Sequence, residues 1–521
     1  MAMSRPSVLH ISQPMDGGVA VYVAAVAADQ ARRGWDVAVA CPAEGPLRER
    51  LAEAGVRWLE WSARRSPGPA DLGPARRLSR LVGRFGPQVV HLHSAKAGLL
   101  GRAVIRGRLP TVFQPHGWSW LACQGLMAQT ALAWERWATR WSDLLVCVGE
   151  GEAEAARALG LNGSITVVRN GVDLHGFPPA TEHTRQEARR RYRLPEEKPL
   201  AVCIGRVTRQ KGQDLLVAAW EQVRRGCPEA RLAIVGDGDL LAGLRAVAGP
   251  GVIFAGQVED TRPWYAAADV VVLPSRWEGL PLTALEALAT GRSLVASDIP
   301  GLAEVVNAEV GAVVPAERVE PLAQALLRRM VDLSLAQSEG RAAAVHAREF
   351  ELGPALDLVA AHTLVLAGMS GAERASGRGA TFGRGLGSSR VGSPEGTAGT
   401  STDGAAGVTP DGVAGVTADG ADGTVMGVPA GEDAGQGTAA GTAGVGKGSG
   451  TIGAGAGGAA AGGAAGSSIG AFHGAGGTGS LSGVGDGSTV GGTRESRAAS
   501  VLRKTCDERE LDGHVQTPCG Q

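Results

Sequence analysis

The stretch over residues 270–290 constrains the fold most, because it sets an apolar run, a loop and a helix in direct succession. Residues 270–273 read V-V-V-L, a run of strand length, and residues 284–290 have the composition of a helix. In an open parallel sheet this order places the loop at the carboxyl end of a strand, where such sheets bind ligands. Pro281 suits the first helical turn, since its missing N–H loses no partner there. The sequence therefore predicts an α/β fold with a ligand site in this loop.

Two carboxylates flank this loop. Glu278 and Glu286 lie eight positions apart, and either can accept hydrogen bonds from hydroxyl groups. The free N–H groups of the helix start, near Leu282 and Thr283, would face an anion, and a pyrophosphate is the natural ligand. The arrangement favours a nucleotide sugar, with its diphosphate in the middle and its sugar and ribose at the two ends. Two solvated carboxylates at a helix start are the alternative.

The stretch S-R-W-E-G-L-P-L-T-A-L-E over residues 275–286 resembles the E-x7-E signature of retaining glycosyltransferases with the GT-B fold, family 4 in particular. The resemblance implies that Glu278 contacts the donor sugar and that Glu286 contacts the ribose. It also implies two Rossmann-like domains that face each other across a cleft. The donor would bind mainly to the second domain and the acceptor mainly to the first.

A second motif lies at the start of the second half of the chain. Residues 205–212 read G-R-V-T-R-Q-K-G and resemble the G-R-x4-K-G element of the same family, whose Arg and Lys grip the diphosphate. The resemblance assigns these roles to Arg206 and Lys211. Two cations at a strand end and a helix start can neutralise a leaving diphosphate.

The turn G-D-G-D over residues 236–239 raises the question of a metal. Asp237 and Asp239 form a D-x-D, which binds a divalent ion in other glycosyltransferases. The family that the chain resembles has G-D-G at this turn, so we interpret Gly236 and Gly238 as a tight turn near the nucleotide. Arg206, Lys211 and the helix start would carry the charge instead. We therefore expect neither a metal nor another cofactor, with the nucleotide sugar as a substrate.

The first half of the chain repeats the strand, loop and helix order. Residues 8–11 form an apolar run, and Gly17 and Gly18 precede a helical stretch, which is a Rossmann-type opening. The family has a Gly-Gly loop here that approaches the donor phosphates and the acceptor. A plain tight turn is the alternative.

Two histidine segments follow at strand ends. The stretch H-S-A-K-A-G from His93 to residue 98 resembles a segment of polysaccharide-building members of the family, which implies acceptor-side roles for His93 and Lys96. His116 precedes a glycine, as in the family, where this histidine lies beside the donor sugar and diphosphate. We expect His116 to donate a hydrogen bond to the departing phosphate or to a sugar hydroxyl.

Charge and composition bear on partners. With 51 Lys and Arg against 52 Asp and Glu, the chain has no global basic field for nucleic acid. Residues 72–85 read as a basic amphipathic helix, and Trp134, Trp137 and Trp141 share one helix face. Peripheral contact with a membrane surface is one interpretation of both features. A solvated helix face and core packing of the tryptophans are the alternatives.

The expected location is cytoplasmic, with peripheral contact on the inner membrane face as an added feature. The seven cysteines form no C-x-x-C, and the N-terminus shows no long apolar h-region. The acceptor-side resemblance and this expected location favour assembly of a polysaccharide or glycolipid.

The expected domain organisation has five parts. The composition changes abruptly after residue 370 to Gly, Ala, Ser and Thr, which predicts a disordered tail without enough apolar bulk to fold. The parts are an acceptor-side Rossmann-like domain over 1–175, a connection over 176–198, a nucleotide-sugar-binding Rossmann-like domain over 199–345, a helix over 346–368 that crosses back to the first domain, and the low-complexity tail over 370–521.

The predicted activity is transfer of a hexosyl unit, with retention, from a nucleotide sugar to a lipid-linked or saccharide acceptor. A UDP-sugar is favoured on family frequency. A small-molecule acceptor, a nucleotide-sugar epimerase and a non-catalytic nucleotide-binding scaffold are the alternatives. The predicted catalytic residues are His116, Arg206, Lys211 and Glu278. The predicted donor-binding residues are Gly17, Gly18, Arg206, Lys211, Gly236, Gly238, Glu278, Gly279, Leu280, Leu282, Thr283 and Glu286.

Overall fold

The computed structural model of the protein describes residues 5–64 and 68–370. These residues form two parallel β-sheets with helices packed on their faces, so the predicted α/β architecture of two Rossmann-like domains is confirmed. The tail expected over 370–521 lies outside the described residues except for Ser370.

The first sheet has seven strands among the described residues, in the order β3-β2-β1-β4-β5-β6-β7. The strands are β1 (Ser7–Ser12), β2 (Asp36–Cys41), β3 (Arg57–Glu60), β4 (Val89–His93), β5 (Thr111–Gln114), β6 (Leu144–Cys147) and β7 (Ile165–Val167). The helices that connect them are α1 (Gly17–Arg32), α2 (Pro46–Glu53), α3 (Leu72–Phe85), α4 (Ser94–Ile105), α5 (Gly125–Ala138) and α6 (Glu150–Ala158).

The second sheet has six strands among the described residues, in the order β10-β9-β8-β11-β12-β13. The strands are β8 (Leu200–Ile204), β9 (Arg231–Val235), β10 (Val252–Gly256), β11 (Val270–Leu273), β12 (Ser293–Asp298) and β13 (Gly311–Pro315). The helices are α7 (Glu182–Arg191), α8 (Gln213–Gly226), α9 (Leu241–Val247), α10 (Arg262–Ala267), α11 (Leu282–Ala289), α12 (Pro300–Ala303), α13 (Val319–Val331), α14 (Leu333–His346) and α15 (Leu352–Gly368). Short 3-10 turns cover Pro69–Asp71, Ser119–Ala122, Thr139–Trp141, Arg209–Lys211 and Ala347–Phe350.

Both sheets reverse their strand order at one point, which fixes where ligands can bind. The reversal lies between β1 and β4 in the first sheet and between β8 and β11 in the second. At such a switch point the loops leave the sheet in opposite directions and open a crevice outside the carboxyl ends of the strands. The loops that follow these four strands carry most of the predicted site residues. The topology therefore gathers segments that are far apart in sequence.

The strand register of the first sheet sets polar side chains into a buried layer. His10 on β1 pairs with His91 on β4, and Ser12 pairs with His93. His93 in turn pairs with Gln114 on β5. Because alternate residues of a strand share a face, these five side chains point to the same side of the sheet. That side is covered by α1, so the polar groups must find partners among themselves or on that helix.

The last helix, α15, packs on the first sheet although it follows the second in sequence. Leu356 and Val359 of α15 share a core cluster with Tyr22 of α1. A parallel backbone bridge between Val172 and Glu351 ties the start of this return segment to the end of the first domain. The chain therefore returns to the first domain after it has completed the second.

Two separate helices follow the second sheet. α13 and α14 meet at Asp332. The Asp332 carboxylate accepts a hydrogen bond from the backbone N–H of Leu335 at 3.1 Å. A short acidic side chain that caps a new helix in this way competes with continuation of the preceding one.

Replacement of Gly98 by alanine tests the packing of α4 on the sheet. A Cβ at this position would overlap the ring of Phe113 on β5, so Gly98→Ala is expected to lower the free energy of unfolding by about 1–3 kcal/mol. Gly83→Ala on α3 is the matched control, since no heavy atom lies within 4 Å of its Cβ position. It should raise stability by about 0.5–1 kcal/mol. Urea denaturation measures both changes in stability. Equal midpoints for the two variants would contradict the close packing of Gly98 against Phe113.

Candidate active site

An ion pair joins two loops of the second sheet. Nζ of Lys211 lies 2.6 Å from Oε1 of Glu278, and the two side chains keep only 15% and 7% of their exposure. Lys211 ends the short 3-10 turn after β8, and Glu278 lies in the loop after β11. Arg206 precedes that turn and is half-buried, with its backbone carbonyl held by the amide of Gln213 at 3.0 Å. The structure thus brings together two of the predicted catalytic groups.

Glycines let these loops meet backbone to backbone. Gly212 has a φ of +69°, and a Cβ there would overlap the carbonyl oxygen of Pro274. Gly301, in α12, lies in the same manner against the carbonyl oxygen of Gly279. The loop that carries Glu278 is therefore held by main chain on both sides, where a side chain would push it away.

Gly236 and Gly238 have a packing role of the same kind. A Cβ on Gly236 would overlap the carbonyl of Gly205, and one on Gly238 would overlap the carbonyl of Val207. The two glycines therefore hold the strand end from which Arg206 leaves the sheet. Their predicted contact with the donor stays a prediction.

Glu286 is half-buried and is oriented by a tyrosine. The hydroxyl of Tyr265 donates a hydrogen bond to Oε2 of Glu286 at 2.7 Å. Burial raises the pKa of Glu286, while the Tyr265 bond and the positive charges of Arg50 and Lys211 oppose that rise. Arg50 belongs to α2 of the first domain, so the charge of a first-domain cation influences the pKa of this second-domain carboxylate. The Glu286 carboxylate is thus held in one orientation, where a hydroxyl group of a ligand can reach it.

Buried hydroxyls without a partner mark the same region. Among the described residues, Thr208 and Thr283 each have a buried Oγ1, and Ser275 and Ser94 each a buried Oγ, that no protein atom satisfies. Thr208 and Ser275 lie in the loops after β8 and β11, and Thr283 lies in the first turn of α11. Buried polar groups are normally paired, so these groups are suited to a polar ligand. A phosphate or a sugar would satisfy them.

The turn after β5 holds His116 in an unusual backbone conformation. His116 has a φ of +53° and Gly117 a φ of +103°. A left-handed conformation at a residue other than glycine is costly and concentrates at functional sites. The carboxylate of Glu152 fixes this turn, accepting hydrogen bonds from Gly117 N at 2.6 Å and Val148 N at 2.8 Å. Burial raises the pKa of Glu152 to about 7.

Contacts between the two domains converge on the same loops. A Cβ on Gly18 would lie 3.6 Å from Cδ1 of Leu282, so the Gly-Gly loop faces the start of α11. The side-chain amide of Asn170 donates to the carbonyl oxygen of Leu280 at 2.6 Å. Arg169 forms an ion pair with Glu304 at 2.7 Å. The first domain therefore touches the loop that carries the two predicted donor carboxylates.

The two predicted acceptor-side residues lie deeper than expected. Lys96 is 4% exposed, and its ammonium nitrogen lies 2.8 Å from the carboxylate of Asp71. His93 is fully buried, and its Nδ1 lies 3.1 Å from Nε2 of His116. Their predicted contact with an acceptor stays a prediction, and His93 instead contacts the histidine that lines the cleft.

One group of described residues has the donor set of a metal site. His10, His91 and His93 offer ring nitrogens that all lie within 4.8 Å of one another. The rings of His91 and His93 are stacked, with centroids 4.1 Å apart and planes 29° apart, and those of His10 and His93 are 21° apart. A metal ion must lie near the plane of each imidazole that binds it, and stacked planes do not converge on one point. The arrangement fits hydrogen bonds between rings better than coordination.

Sequence patterns missed several residues that shape the site. Tyr265 is one aromatic residue within an apolar stretch, and Arg50 lies on a helix that no motif marks. Glu152 follows Gly149 at the start of α6 and resembled an ordinary acidic residue of a first helical turn. Only the fold brings these residues beside the motifs.

Comparison with known families places both domains in one group of proteins. Residues 16–175 match the family model described as Glycosyltransferase Family 4. Residues 198–332 match the model described as Glycosyl transferases group 1. The two models together cover every predicted site residue, the second sheet, and the first sheet apart from β1.

Two curated relatives show the range of similar proteins. The chain is 32% identical over 299 residues to a GDP-mannose-dependent alpha-(1-6)-phosphatidylinositol monomannoside mannosyltransferase of Mycobacterium tuberculosis, which covers 53% of the chain and 74% of the relative. It is 28% identical over 282 residues to a UDP-Gal:alpha-D-GlcNAc-diphosphoundecaprenol alpha-1,3-galactosyltransferase of Escherichia coli, covering 51% and 72%. Both relatives are named for lipid-linked acceptors.

A solved structure supports the fold. Sucrose-phosphate synthase from Thermosynechococcus elongatus superposes with a TM-score of 0.61 and 23% identity, covering 70% of the chain and 100% of that protein. At this identity the likeness concerns the fold alone. It agrees with the two-sheet architecture and adds nothing on substrates.

Replacement of Gly301 by alanine tests the support of the Glu278 loop. The new Cβ would overlap the Gly279 carbonyl, so the loop must move and its backbone hydrogens should exchange faster. Hydrogen–deuterium exchange of peptides over residues 275–285 measures this directly. Gly353→Ala on α15, where no heavy atom lies within 4 Å, is the control and should leave that exchange unchanged. Equal exchange in both variants would contradict the support of the Glu278 loop by Gly301.

Proposed function

The chain belongs to glycosyltransferase family 4, and on that premise we propose that it transfers a hexosyl unit from a nucleotide sugar to a lipid-linked or saccharide acceptor with retention of configuration. The chain is a glycosyltransferase of the kind that builds glycolipids or polysaccharides. The ion pair of Lys211 with Glu278 carries the finer proposal. In this proposal Lys211 provides the cation beside the leaving diphosphate, and Glu278 provides the carboxylate beside the sugar.

The diphosphate would bind between Lys211 and the start of α11. Free backbone N–H groups in the first turn of α11 and the unpartnered hydroxyls of Thr208 and Thr283 can donate hydrogen bonds to phosphate oxygens. Arg206 leaves the same strand end and adds a second cation. Donors that are already in place stabilise the charge that develops as the diphosphate departs. Glu286, held by Tyr265, would accept hydrogen bonds from the ribose.

Retention follows from attack on the face that the diphosphate leaves. The acceptor hydroxyl oxygen forms the new bond to the anomeric carbon, and the bond from that carbon to the diphosphate oxygen breaks. The acceptor's proton passes to an oxygen of the leaving diphosphate, so no dedicated general base is needed. The proximity of the domains at Gly18 and Leu282 would exclude water from this step.

GDP-mannose is the donor that the relatives support most directly. The Mycobacterium relative and lipopolysaccharide-core relatives of Rhizobium are named as mannosyltransferases. A UDP-hexose is the second candidate, because the Escherichia coli relative is named for UDP-Gal. The two donors differ in base and sugar, so a direct comparison separates them.

A lipid-linked acceptor is supported by one face of the first domain. Helices α3, α4 and α5 contribute to one core cluster, through Leu78, Leu100 and Leu132, and so cover the same side of the sheet. The outer surface of α3 carries three exposed arginines at intervals of four residues: Arg76, Arg80 and Arg84.

The exposed apolar residues of α5 complete this face. Leu126 and Met127, at the start of α5, are 78% and 67% exposed. The rings of Trp137 and Trp141 touch at 4.2 Å, with Trp137 42% exposed. Arginines and exposed apolar side chains on one layer of helices suit an anionic membrane surface. Among the described residues, no helix is both long and apolar enough to span a bilayer.

The first experiment measures nucleoside diphosphate release from GDP-mannose and from UDP-, ADP- and dTDP-hexoses, with and without lipid-phosphate acceptors. We expect one donor to turn over faster when an acceptor is added. Lys211→Ala should lower kcat about 10²–10³-fold, since it removes a charge that stabilises the leaving group. Lys198→Ala, which removes a surface partner of Glu229, is the matched control and should have no effect.

Other results would point elsewhere. Formation of an epimer without an acceptor would indicate an epimerase, and nucleotide binding without turnover on the whole panel would indicate a scaffold. Turnover unaffected by Lys211→Ala would contradict the role of the ion pair. Faster turnover with a water-soluble small-molecule acceptor than with any lipid would contradict the proposed acceptor class.

Vesicle sedimentation tests the membrane face. The full chain should bind vesicles that contain phosphatidylglycerol, and the double substitution Leu126→Ser with Met127→Ser should weaken binding several-fold by removing exposed apolar area. The double substitution Val331→Ser with Val345→Ser removes side chains that are 65% and 62% exposed on the second domain, and should leave binding unchanged. If both double variants lost vesicle binding equally, or if neither lost it, the result would contradict a specific membrane-binding face.

A further inference from the structure

A chain of hydrogen bonds runs from the cleft into the core of the first domain. Nε2 of His116 lies 3.1 Å from Nδ1 of His93, and Nε2 of His93 lies 3.0 Å from Nδ1 of His10. Nε2 of His10 lies 2.8 Å from Oε1 of Gln30 on α1. The three inner side chains are at most 1% exposed, whereas His116 is half-buried. Only the His116 end can therefore meet a ligand.

Each imidazole in this chain is neutral. Burial lowers the pKa of His116 to about 3 and that of His10 to about 4. Burial also lowers the pKa of His93, and repulsion from the neighbouring rings of His91, His10 and His116 lowers it further. The edge of the Tyr22 ring covers His116 with centroids 4.9 Å apart, which shields the chain from the side of α1.

Because each ring is neutral, the hydrogen bonds in the series all run in one direction. A neutral imidazole has one N–H and one lone pair, so a ring that donates on one side must accept on the other. The oxygen of the Gln30 amide can only accept, so Nε2 of His10 donates and Nδ1 of His10 accepts. The same logic then assigns the hydrogen to Nε2 of His93 and to Nε2 of His116. The hydrogen bond made by one ring nitrogen sets the tautomer of the ring.

We propose that Gln30, His10 and His93 are positioning residues that hold His116 in its Nε2–H tautomer, so that His116 presents the lone pair of Nδ1 to a hydroxyl of the sugar substrate. Nδ1 lies on the opposite edge of the ring from the nitrogen that meets His93. This assignment rests on the proposed function for the identity of the ligand. It differs from the sequence-based expectation, in which His116 donates to the phosphate or the sugar.

The left-handed backbone of His116 agrees with this role. The turn costs energy and is held by Glu152 from one side and by the chain of rings from the other. A side chain fixed at both its backbone and one ring nitrogen has a single orientation. The remaining nitrogen is then placed before substrate arrives, which lowers the entropy cost of binding.

Histidine tautomers can be read without turnover. In the full chain labelled with 15N-histidine, two-bond proton–nitrogen correlations show which ring nitrogen carries the hydrogen. We expect the Nε2–H form for His116, His93 and His10, with signals assigned by single His→Gln variants. Gln30→Met removes the acceptor at the inner end, so His116 should become a mixture of tautomers. Gln30→Glu, whose carboxylate also only accepts, should restore the single form.

A matched control lies beside the chain. Oε1 of Gln114 accepts from Nε2 of His91 at 3.0 Å, so His91 has a hydrogen-bond partner outside the series of Gln30, His10, His93 and His116. Gln114→Met should change the His91 signals and leave the tautomer of His116 unchanged. It removes a buried amide of the same size, so a general loss of packing would affect both variants alike.

Kinetics give a second measure. Gln30→Met should lower kcat about tenfold, the value of about one net hydrogen bond, with the donor KM little changed. Gln30→Glu should recover most of it. These rates use the donor and acceptor identified by the nucleotide-release panel.

Several results would overturn the inference. These are an Nδ1–H tautomer of His116 in the unmodified chain, a tautomer that ignores Gln30→Met, and stoichiometric uptake of Zn²⁺ by His10, His91 and His93 in place of the ring-to-ring bonds. If sugar transfer fails on every donor, the spectra still decide the tautomer. If sugar transfer proceeds while the tautomer of His116 is independent of Gln30, the result contradicts the role of Gln30 and leaves the proposed function intact.

Discussion

Backbone contact between neighbouring loops is the constraint on which the candidate site depends. Gly212, Gly236 and Gly301 each bring main chain against a carbonyl oxygen where any Cβ would overlap it. This closeness sets the loops after β8 and β11 near enough for Lys211 to meet Glu278. A side chain at any of these glycines would separate the cation from the carboxylate. The meeting of Lys211 with Glu278 is therefore a consequence of main-chain packing.

The two walls of the cleft use different means to fix their reactive groups. In the second domain, charged and hydroxyl groups are held by an ion pair and by Tyr265, and several hydroxyls are left for a ligand. In the first domain, His116 is held by neutral hydrogen bonds that run into the core. Burial disfavours charge there, which keeps the imidazoles neutral and their bonds directional. One wall is thus suited to anions and the other to sugar hydroxyls.

Much of the fold and part of the site could be predicted from the sequence. Apolar runs followed by glycine loops and helices are local patterns, and they predicted the two parallel sheets that the structure confirms. The separation of α13 from α14 depends on the helix cap of Asp332, which hydrophobic periodicity does not reveal. Gly236 and Gly238 were recognised by motif, but their contacts with Gly205 and Val207 could not be read from the chain.

The sequence alone was enough to predict a nucleotide-sugar ligand, because Glu278 and Glu286 about a helix start and the R-x4-K element are each local patterns in the chain. Only the tertiary structure decided which groups meet. Asn170 donates to the carbonyl of Leu280, Glu152 holds the His116 turn, and His10 joins His93, since parallel strands and the closing of two domains bring distant segments together. Such pairings depend on strand order and register, which leave no periodic signal in the residues that make them.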